Sequence, residues 1–243
     1  MSSEYAIEVE DLCIRYQDIK KYSIKKNLLQ LKKLEAEEYE AVSHVSFKVK
    51  RGEILGIIGK NGCGKSTMLK ALAGIFSPDC GSIDLKGNSV SLLAIGLGFN
   101  KEMSGRDNIF LSGMLMGFTE AQIKEKLDEI IEFADIGNFI EKPVRMYSSG
   151  MYSKLAFAIT ATLETDIMLV DEVLSVGDQR FKKKSYAKMK ELISNEDRTV
   201  VIVSHNISTL MELCDKVMWM NDGKIVKIGE PEAVLEEYQA FMD

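Results

Sequence analysis

The chain has 243 residues, 46% of them apolar and 28% charged, which is the balance of a soluble protein of one large domain, able to bury about 70% of its unfolded surface. Its net charge of −6, from 31 Lys+Arg against 37 Asp+Glu, argues against nucleic acid as the main partner, because that role calls for a basic footprint. The acidic start MSSEYAIEVEDL is no secretion leader, no apolar run approaches the ~20 residues of a membrane span, and four cysteines at 13, 63, 80 and 214 without a C-x-x-C pair signal neither a zinc site nor a disulfide framework, a usage suited to a reducing cytosol.

In chain order, Ile7 to Ile14 alternates loosely and predicts an edge strand. Residues 17–39 break the pattern as a lysine-rich insertion, with six lysines and no acid between Lys20 and Lys33. Ile24, Leu28 and Leu31 fall on one helical face there. The segment reads either as a solvated excursion or as a contact with an anionic membrane surface or a membrane partner. Val45 to Val49 alternates again, and Arg51-Gly52 reads as a turn. Glu53 to Gly59 is short and nearly all apolar, as a buried central strand is, and a helix follows from Ser66 to Ile75. Ser77-Pro78-Asp79-Cys80-Gly81 is turn chemistry.

Residues 101–163 read as mostly helical. Thr119 to Gln122 forms a capping box, and Ile123, Leu127, Ile130, Ile131 and Ala134 form an apolar stripe. Asp166 to Val170 predicts another buried strand ending in Asp171-Glu172, and Arg198 to His205 a third. Asn206 to Cys214 reads as a helix, and Lys216–Met220 with Lys224–Ile228 as a hairpin around Asn221-Asp222-Gly223. Strands alternating with helices imply an α/β fold with a parallel core.

Gly59-Lys60-Asn61-Gly62-Cys63-Gly64-Lys65-Ser66-Thr67 satisfies G-x-x-x-x-G-K-[ST] between a strand and a helix. Glycines let backbone N–H groups curl around phosphate oxygens, and the helix N-terminus adds positive potential. In that reading Lys65 neutralises the β- and γ-phosphates of ATP and Ser66 ligates Mg²⁺. Asp171, at a strand end, is the second Mg²⁺-organising carboxylate, and Glu172 is placed to polarise an attacking water.

Tyr147-Ser148-Ser149-Gly150-Met151, followed by a helix from Tyr152 to Thr162, resembles the signature motif of ABC ATPases, usually Leu-Ser-Gly-Gly-Gln. Ser149 replaces a glycine and Met151 the glutamine. Ser175-Val176-Gly177-Asp178 resembles the D-loop, with Gly177 where leucine is common, and His205 resembles the switch histidine that touches the γ-phosphate. Asn100 falls where the family's Q-loop glutamine, a Mg²⁺-facing residue, is expected. Tyr16 resembles the aromatic residue that stacks on adenine, with Tyr39 as its rival. His44 has no such context and reads as structural.

Together with Gly96-Leu97-Gly98-Phe99 and Ser104-Gly105-Arg106-Asp107-Asn108, these motifs resemble the ATPase subunits that export O-antigen, capsule, teichoic acid and related polysaccharides. The resemblance runs from Ile7 to Phe241. It implies a P-loop NTPase cassette over residues 1–243, with a RecA-like parallel core, an antiparallel β subdomain and a helical signature subdomain at about 101–163. It further implies Mg²⁺-dependent ATP hydrolysis in a head-to-tail dimer with a second copy of the chain, and a membrane-spanning permease at the cytoplasmic face of the membrane. In that dimer Ser148 and Gly150 of one copy face the P-loop of the other. Some relatives carry a further C-terminal domain; this chain, ending at Asp243, is expected to lack one or to have lost it. The rival readings are an ABC ATPase of another transporter class, a soluble ABC machine and a small P-loop kinase.

Overall fold

The apolar runs around residues 54–59, 167–171 and 199–203 have no polar face to turn to solvent, so they need cover on both sides. The computed structural model describes residues 4–18, 37–93, 98–171, 178–193 and 198–242. Its strands are β1 (Tyr5–Asp18), β2 (Glu37–Lys50), β3 (Ile54–Gly59), β4 (Cys80–Asp84), β5 (Val90–Leu93), β6 (Ile167–Asp171), β7 (Thr199–Val203), β8 (Lys216–Asn221) and β9 (Lys224–Gly229). Its α-helices are α1 (Lys65–Leu72), α2 (Gly105–Leu115), α3 (Glu120–Ala134), α4 (Ser149–Thr162), α5 (Gln179–Ile193), α6 (Ile207–Leu213) and α7 (Pro231–Met242), with 3₁₀ turns at Gly137–Glu141 and Val144–Met146.

Six strands form one sheet in the order β5-β6-β7-β3-β8-β9, parallel except for β9. Successive side chains of a strand face opposite ways, and the burial follows that period. Val201, Val203, Leu169 and Ile57 pack with Met68, Leu69 and Leu72 of α1 and with the other sheet. Val200, Ile202, Met168 and Val170 pack instead against Phe181, Met189 and Leu192 of α5. Under α6 and α7 the cover of Ile58, Val217 and Trp219 is Leu210, Val234 and Leu235. Each such side chain removed from water contributes about 1.5–3 kcal/mol, so a polar substitution anywhere in these runs is expected to be costly.

The second sheet is antiparallel in the order β2-β1-β4, which makes β1 the central strand of three and corrects the expected edge position. A second correction concerns the cysteines. The β1–β4 register sets Cys13 opposite Cys80, and a disulfide joins them. Their sequence separation of 67 hides a juxtaposition that only the sheet creates. Cys80 and Gly81, read as turn, already belong to β4. His44 sits exposed on β2 with its Nδ1 2.8 Å from Asp11 Oδ1.

The helical region stands as expected. α2 and α3 both start with capping boxes, Ser104 with Asp107 and Thr119 with Gln122, which satisfy otherwise orphaned N–H groups. The α3 stripe buries Ile123, Ile130 and Ala134 completely against Ile109 of α2 and Leu155 and Ile159 of α4. α4 starts at Ser149, three residues before the expected Tyr152, because Ser148 caps it by accepting the Met151 N–H at 3.2 Å. The helical face at Ile24, Leu28 and Leu31 lies outside the described residues.

Candidate functional site

The loop between β3 and α1 is shaped by its glycines. Gly64 has φ +102°, and a Cβ there would lie 2.1 Å from the Ala41 carbonyl oxygen of β2. A Cβ on Gly59 would meet the Met220 carbonyl oxygen of β8 at 2.2 Å. The loop is thus wedged between two strands, and only glycine fits at either position. The turn of the β8–β9 hairpin braces it from the side. Asp222 and Gly223, both at positive φ as a two-residue hairpin turn requires, bring the Gly223 N–H to the Cys63 carbonyl at 3.1 Å. The Gly223 carbonyl in turn accepts the Ser43 N–H at 2.8 Å.

Unlike α2, α3, α4 and α6, helix α1 has no side-chain cap, and its first turn holds no acid. Its leading N–H groups therefore point into the loop with the positive end of the helix dipole behind them, an arrangement that takes an anion. Lys65 is buried, and its Nζ donates to the Gly59 and Lys60 carbonyls at 2.8 Å each, which holds the ammonium at the centre of the loop. Cys63 is buried too, so its sulfur faces the protein, and burial pushes the thiol pKa up.

Strand register brings the remaining groups to the loop. Ile57 of β3 pairs with Val203 of β7, and Val203 pairs with Asp171 of β6. The carboxyl ends of three adjacent strands are therefore level, and the crevice above them is where open α/β sheets bind ligands. Ser66 Oγ donates to Asp171 Oδ1 at 3.1 Å across 105 residues of sequence. A hydroxyl and a carboxylate side by side are the hard oxygen donors Mg²⁺ takes, so the residues present fit that ion. His205, two residues beyond β7, lines the same cleft.

That cleft, about 300 Å³, is lined by Tyr16, Tyr39, Ala41, Asn61, Gly62, Gly64, Lys65, Ser66, Thr67 and His205. Tyr16 and Tyr39 are direct partners in the β1–β2 register. The Tyr39 hydroxyl donates to the Gly62 carbonyl at 3.0 Å, and the Tyr16 hydroxyl is hydrogen-bonded to Thr67 Oγ1 at 3.2 Å. Both rings are exposed at the cleft mouth, and the edge of Tyr16 packs on Phe76 at 6.0 Å between centroids.

Other sequence-selected residues sit elsewhere. Ser148, Ser149, Gly150 and Met151 form the start of α4 and do not line the cleft of their own chain. Asp178 caps α5 by accepting the Phe181 N–H at 2.9 Å, and it pairs with Lys154 of α4 at 2.8 Å. The Lys154 ammonium, helped by that N–H, holds the Asp178 carboxyl down at about 2. Asn100 is also absent from the cleft lining. Its Oδ1, the oxygen expected to face Mg²⁺, accepts the Glu102 N–H at 3.0 Å in a local turn bond. Glu172, Ser175, Val176, Gly177, Gly96 and Leu97 lie outside the described residues. Sequence reasoning missed three contributors: Ala41, Lys154 and the hairpin turn at Gly223. The Asn-Asp-Gly signal gave the turn its type but not its place beneath the loop.

A glycine-shaped backbone loop at a helix start, a buried lysine in it and a serine–aspartate pair beside it define a P-loop nucleoside-triphosphate-binding protein. The family described as ABC transporter matches residues 42–175. The chain is 39% identical over 209 residues to the O-antigen export system ATP-binding protein RfbB of Klebsiella pneumoniae, covering 86% of this chain and 85% of that one. It is 42% identical over 199 residues to the protein of that name from Myxococcus xanthus, with 82% and 45% covered. It is 41% identical over 238 residues to the teichoic acids export ATP-binding protein TagH of Bacillus cereus, with 98% and 43% covered. The chain thus spans less than half the length of those two relatives. Among solved structures, the ATP-binding subunit of an ABC transporter superposes with TM-score 0.73 at 20% identity, covering 96% of this chain and 93% of that one. A dimeric ATP-binding cassette bound to ADP and Pi superposes with TM-score 0.70 at 18% identity, with 93% and 98% covered, a likeness of fold. The chain belongs to the ABC transporter ATP-binding family.

Proposed function

We propose that this chain, as one cassette over residues 1–243, is the ATP-hydrolysing subunit of an ABC exporter that moves a cell-surface polysaccharide across the cytoplasmic membrane. The observation that carries the ATPase reading is the Ser66–Asp171 pair at 3.1 Å beside the buried Lys65 in a glycine-shaped loop. The export reading rests on the O-antigen and teichoic acid relatives.

In this reading the N–H groups of the P-loop from Gly62 to Thr67 hold the β- and γ-phosphates, and Lys65 turns its ammonium from the Gly59 and Lys60 carbonyls toward them. Ser66 and Asp171 would hold Mg²⁺, which when bound would supply charge neutralisation for the triphosphate. Tyr16 and Tyr39, paired across β1–β2 at the mouth of the cleft, offer their rings to the adenine. Glu172 takes a proton from the attacking water, and His205 contacts the γ-phosphate. The signature residues do not line this cleft in their own chain, and in this reading Ser148 to Met151 would close over the triphosphate of a second copy. ATP affinity then differs between open and closed dimers, and that difference is what drives motion. A permease subunit at the cytoplasmic face of the membrane would convert the motion into export.

Glu172→Gln is the decisive variant. It should slow ATP turnover about 10²–10⁴-fold while ATP binding persists. With ATP it should run as a dimer by size exclusion with light scattering. Wild-type turnover in this variant refutes the base, and a monomer at saturating ATP refutes the paired cassette. The export reading is tested by co-purification with a multi-span permease and by loss of surface glycan in a strain carrying only the Glu172→Gln chain.

A further inference from the structure

The three-stranded sheet assembles a group of side chains that the nucleotide site does not use. Cys13 of β1 faces Cys80 of β4, with Cα atoms 5.0 Å apart. His44 comes from β2 at the irregular stretch where Leu12 pairs with Val45. The two sulfurs and one imidazole nitrogen lie within 4.8 Å of one another. Asp11, on the same irregular stretch of β1, holds His44 Nδ1 through its Oδ1 at 2.8 Å. Burial is graded: Cys13 is fully buried, Cys80 is partly so and His44 is exposed.

We propose that in the reduced protein Cys13, Cys80 and His44 bind a thiophilic divalent cation of the zinc class. Two thiolates and an imidazole are the donors such a cation takes, whereas Mg²⁺ and Ca²⁺ prefer oxygen. The Asp11–His44 pair is the outer contact that metal-ligating histidines use to fix ring orientation and tautomer. Three protein ligands leave a fourth position to water, and the exposed imidazole gives an entry path, so the cation is exchangeable.

A dithiol reductant gives two electrons and two protons to the Cys13–Cys80 disulfide, yielding two thiols and the oxidised dithiol. A divalent cation then displaces the two thiol protons and forms two metal–sulfur bonds. Disulfide and cation are therefore mutually exclusive: oxidation expels the ion, and the ion shields the thiols. Along β1 the site lies three residues before Tyr16, which lines the nucleotide cleft. Asp79 N–H donates to the Cys13 carbonyl at 2.9 Å, and Asp79 Oδ2 accepts the Arg15 N–H at 2.6 Å, immediately before Tyr16.

The test uses the full chain reduced with a phosphine, then freed of metal, with Co²⁺ as the spectroscopic probe and Zn²⁺ as competitor. Expected are one equivalent of Co²⁺ per chain, a thiolate-to-cobalt charge-transfer band, and its loss on adding Zn²⁺. Cys80→Ser and Cys13→Ser should abolish the band. His44→Ala should weaken binding more than tenfold, and Asp11→Asn about 10–100-fold, the range for outer contacts. Cys214→Ser should leave the band intact. Circular dichroism reports folding, and if the buried Cys13 variant fails to fold, the more exposed Cys80 and His44 variants still decide. No band in the reduced wild type, an undiminished band in Cys80→Ser, or equal binding by the disulfide form would each overturn the proposal.

Discussion

Gly64→Ala and Gly62→Ala differ in one physical respect and should separate two costs. Both glycines have positive φ, +102° and +81°, and alanine in such a conformation costs about 1–3 kcal/mol. At Gly62 nothing lies within 4 Å of the added Cβ, so strain is the whole effect. At Gly64 the Cβ meets the Ala41 carbonyl at 2.1 Å, where ordinary contact begins at 3.4 Å. Loop and β2 must separate by more than an ångström, and Ala41 is itself buried, which adds about 1–3 kcal/mol of overpacking. Gly64→Ala should therefore cost about 2–6 kcal/mol and Gly62→Ala about 1–3, against a total stability of about 5–15 kcal/mol. Urea unfolding of both variants reads the difference as a gap between midpoints at unchanged slope. A fluorescent ATP analogue should lose at least tenfold more affinity in Gly64→Ala, because the displaced strand carries the cleft lining at Ala41. Equal midpoints would refute the claim that β2 presses on the loop.

Three further outcomes are expected. Cys63, buried beneath the loop with its thiol pKa raised by burial, should react with a maleimide far more slowly in the native chain than in urea. Rapid stoichiometric labelling of the native chain, mapped by mass spectrometry, would contradict that placement. Asp178, held at about 2 by Lys154, should contribute stability above pH ~4 that fades as pH falls from there through 2, since a depressed carboxyl stabilises only while the unfolded group is ionised. Lys154→Met should remove that dependence and move the Asp178 carboxyl upward in an NMR titration; an unmoved carboxyl denies the pairing. Ile130→Ala, fully buried among α2, α3 and α4, should cost about 2–5 kcal/mol in chemical denaturation, whereas Leu115→Ala on the exposed face of α2 should stay within about 0.5. Similar losses for both would mean the helical layer is not packed as described.

What the sequence made legible was local. The strand–loop–helix of residues 54–72, the capping box at Thr119 and the hairpin at Asp222-Gly223 each follow from neighbours in the chain, and each stands where it was expected. What stayed hidden depends on pairing between distant segments. β1 looked like an edge because nothing in Ile7–Ile14 records that β4, some seventy residues on, closes its other side. Cys13 and Cys80 looked scattered for the same reason. The level ends of β3, β6 and β7, which bring Ser66 to Asp171, come from a three-strand register that no single run of residues encodes.

Helix starts show how the candidate site was readable in part. α2, α3, α4 and α6 spend a Ser, Thr or Asn side chain on their first free N–H groups, bonding them within the chain. α1 alone among these five has a glycine, Gly64, at its N-cap and no such bond, so its donors remain for something outside the chain. Donors left uncapped at a helix start that opens on a cleft are placed to take an anion, and Lys65 already supplies the matching charge. The motif and the missing cap are the same fact at two levels. The signature helix α4 is the intermediate case. Ser148 Oγ satisfies the Met151 N–H and leaves the preceding N–H groups of Ser149 and Gly150 without a cap bond, at a helix start that does not line its own chain's cleft. In the proposed paired cassette those two donors would meet the triphosphate of a second chain, and a phosphate oxygen there would complete α4 as one in the P-loop would complete α1.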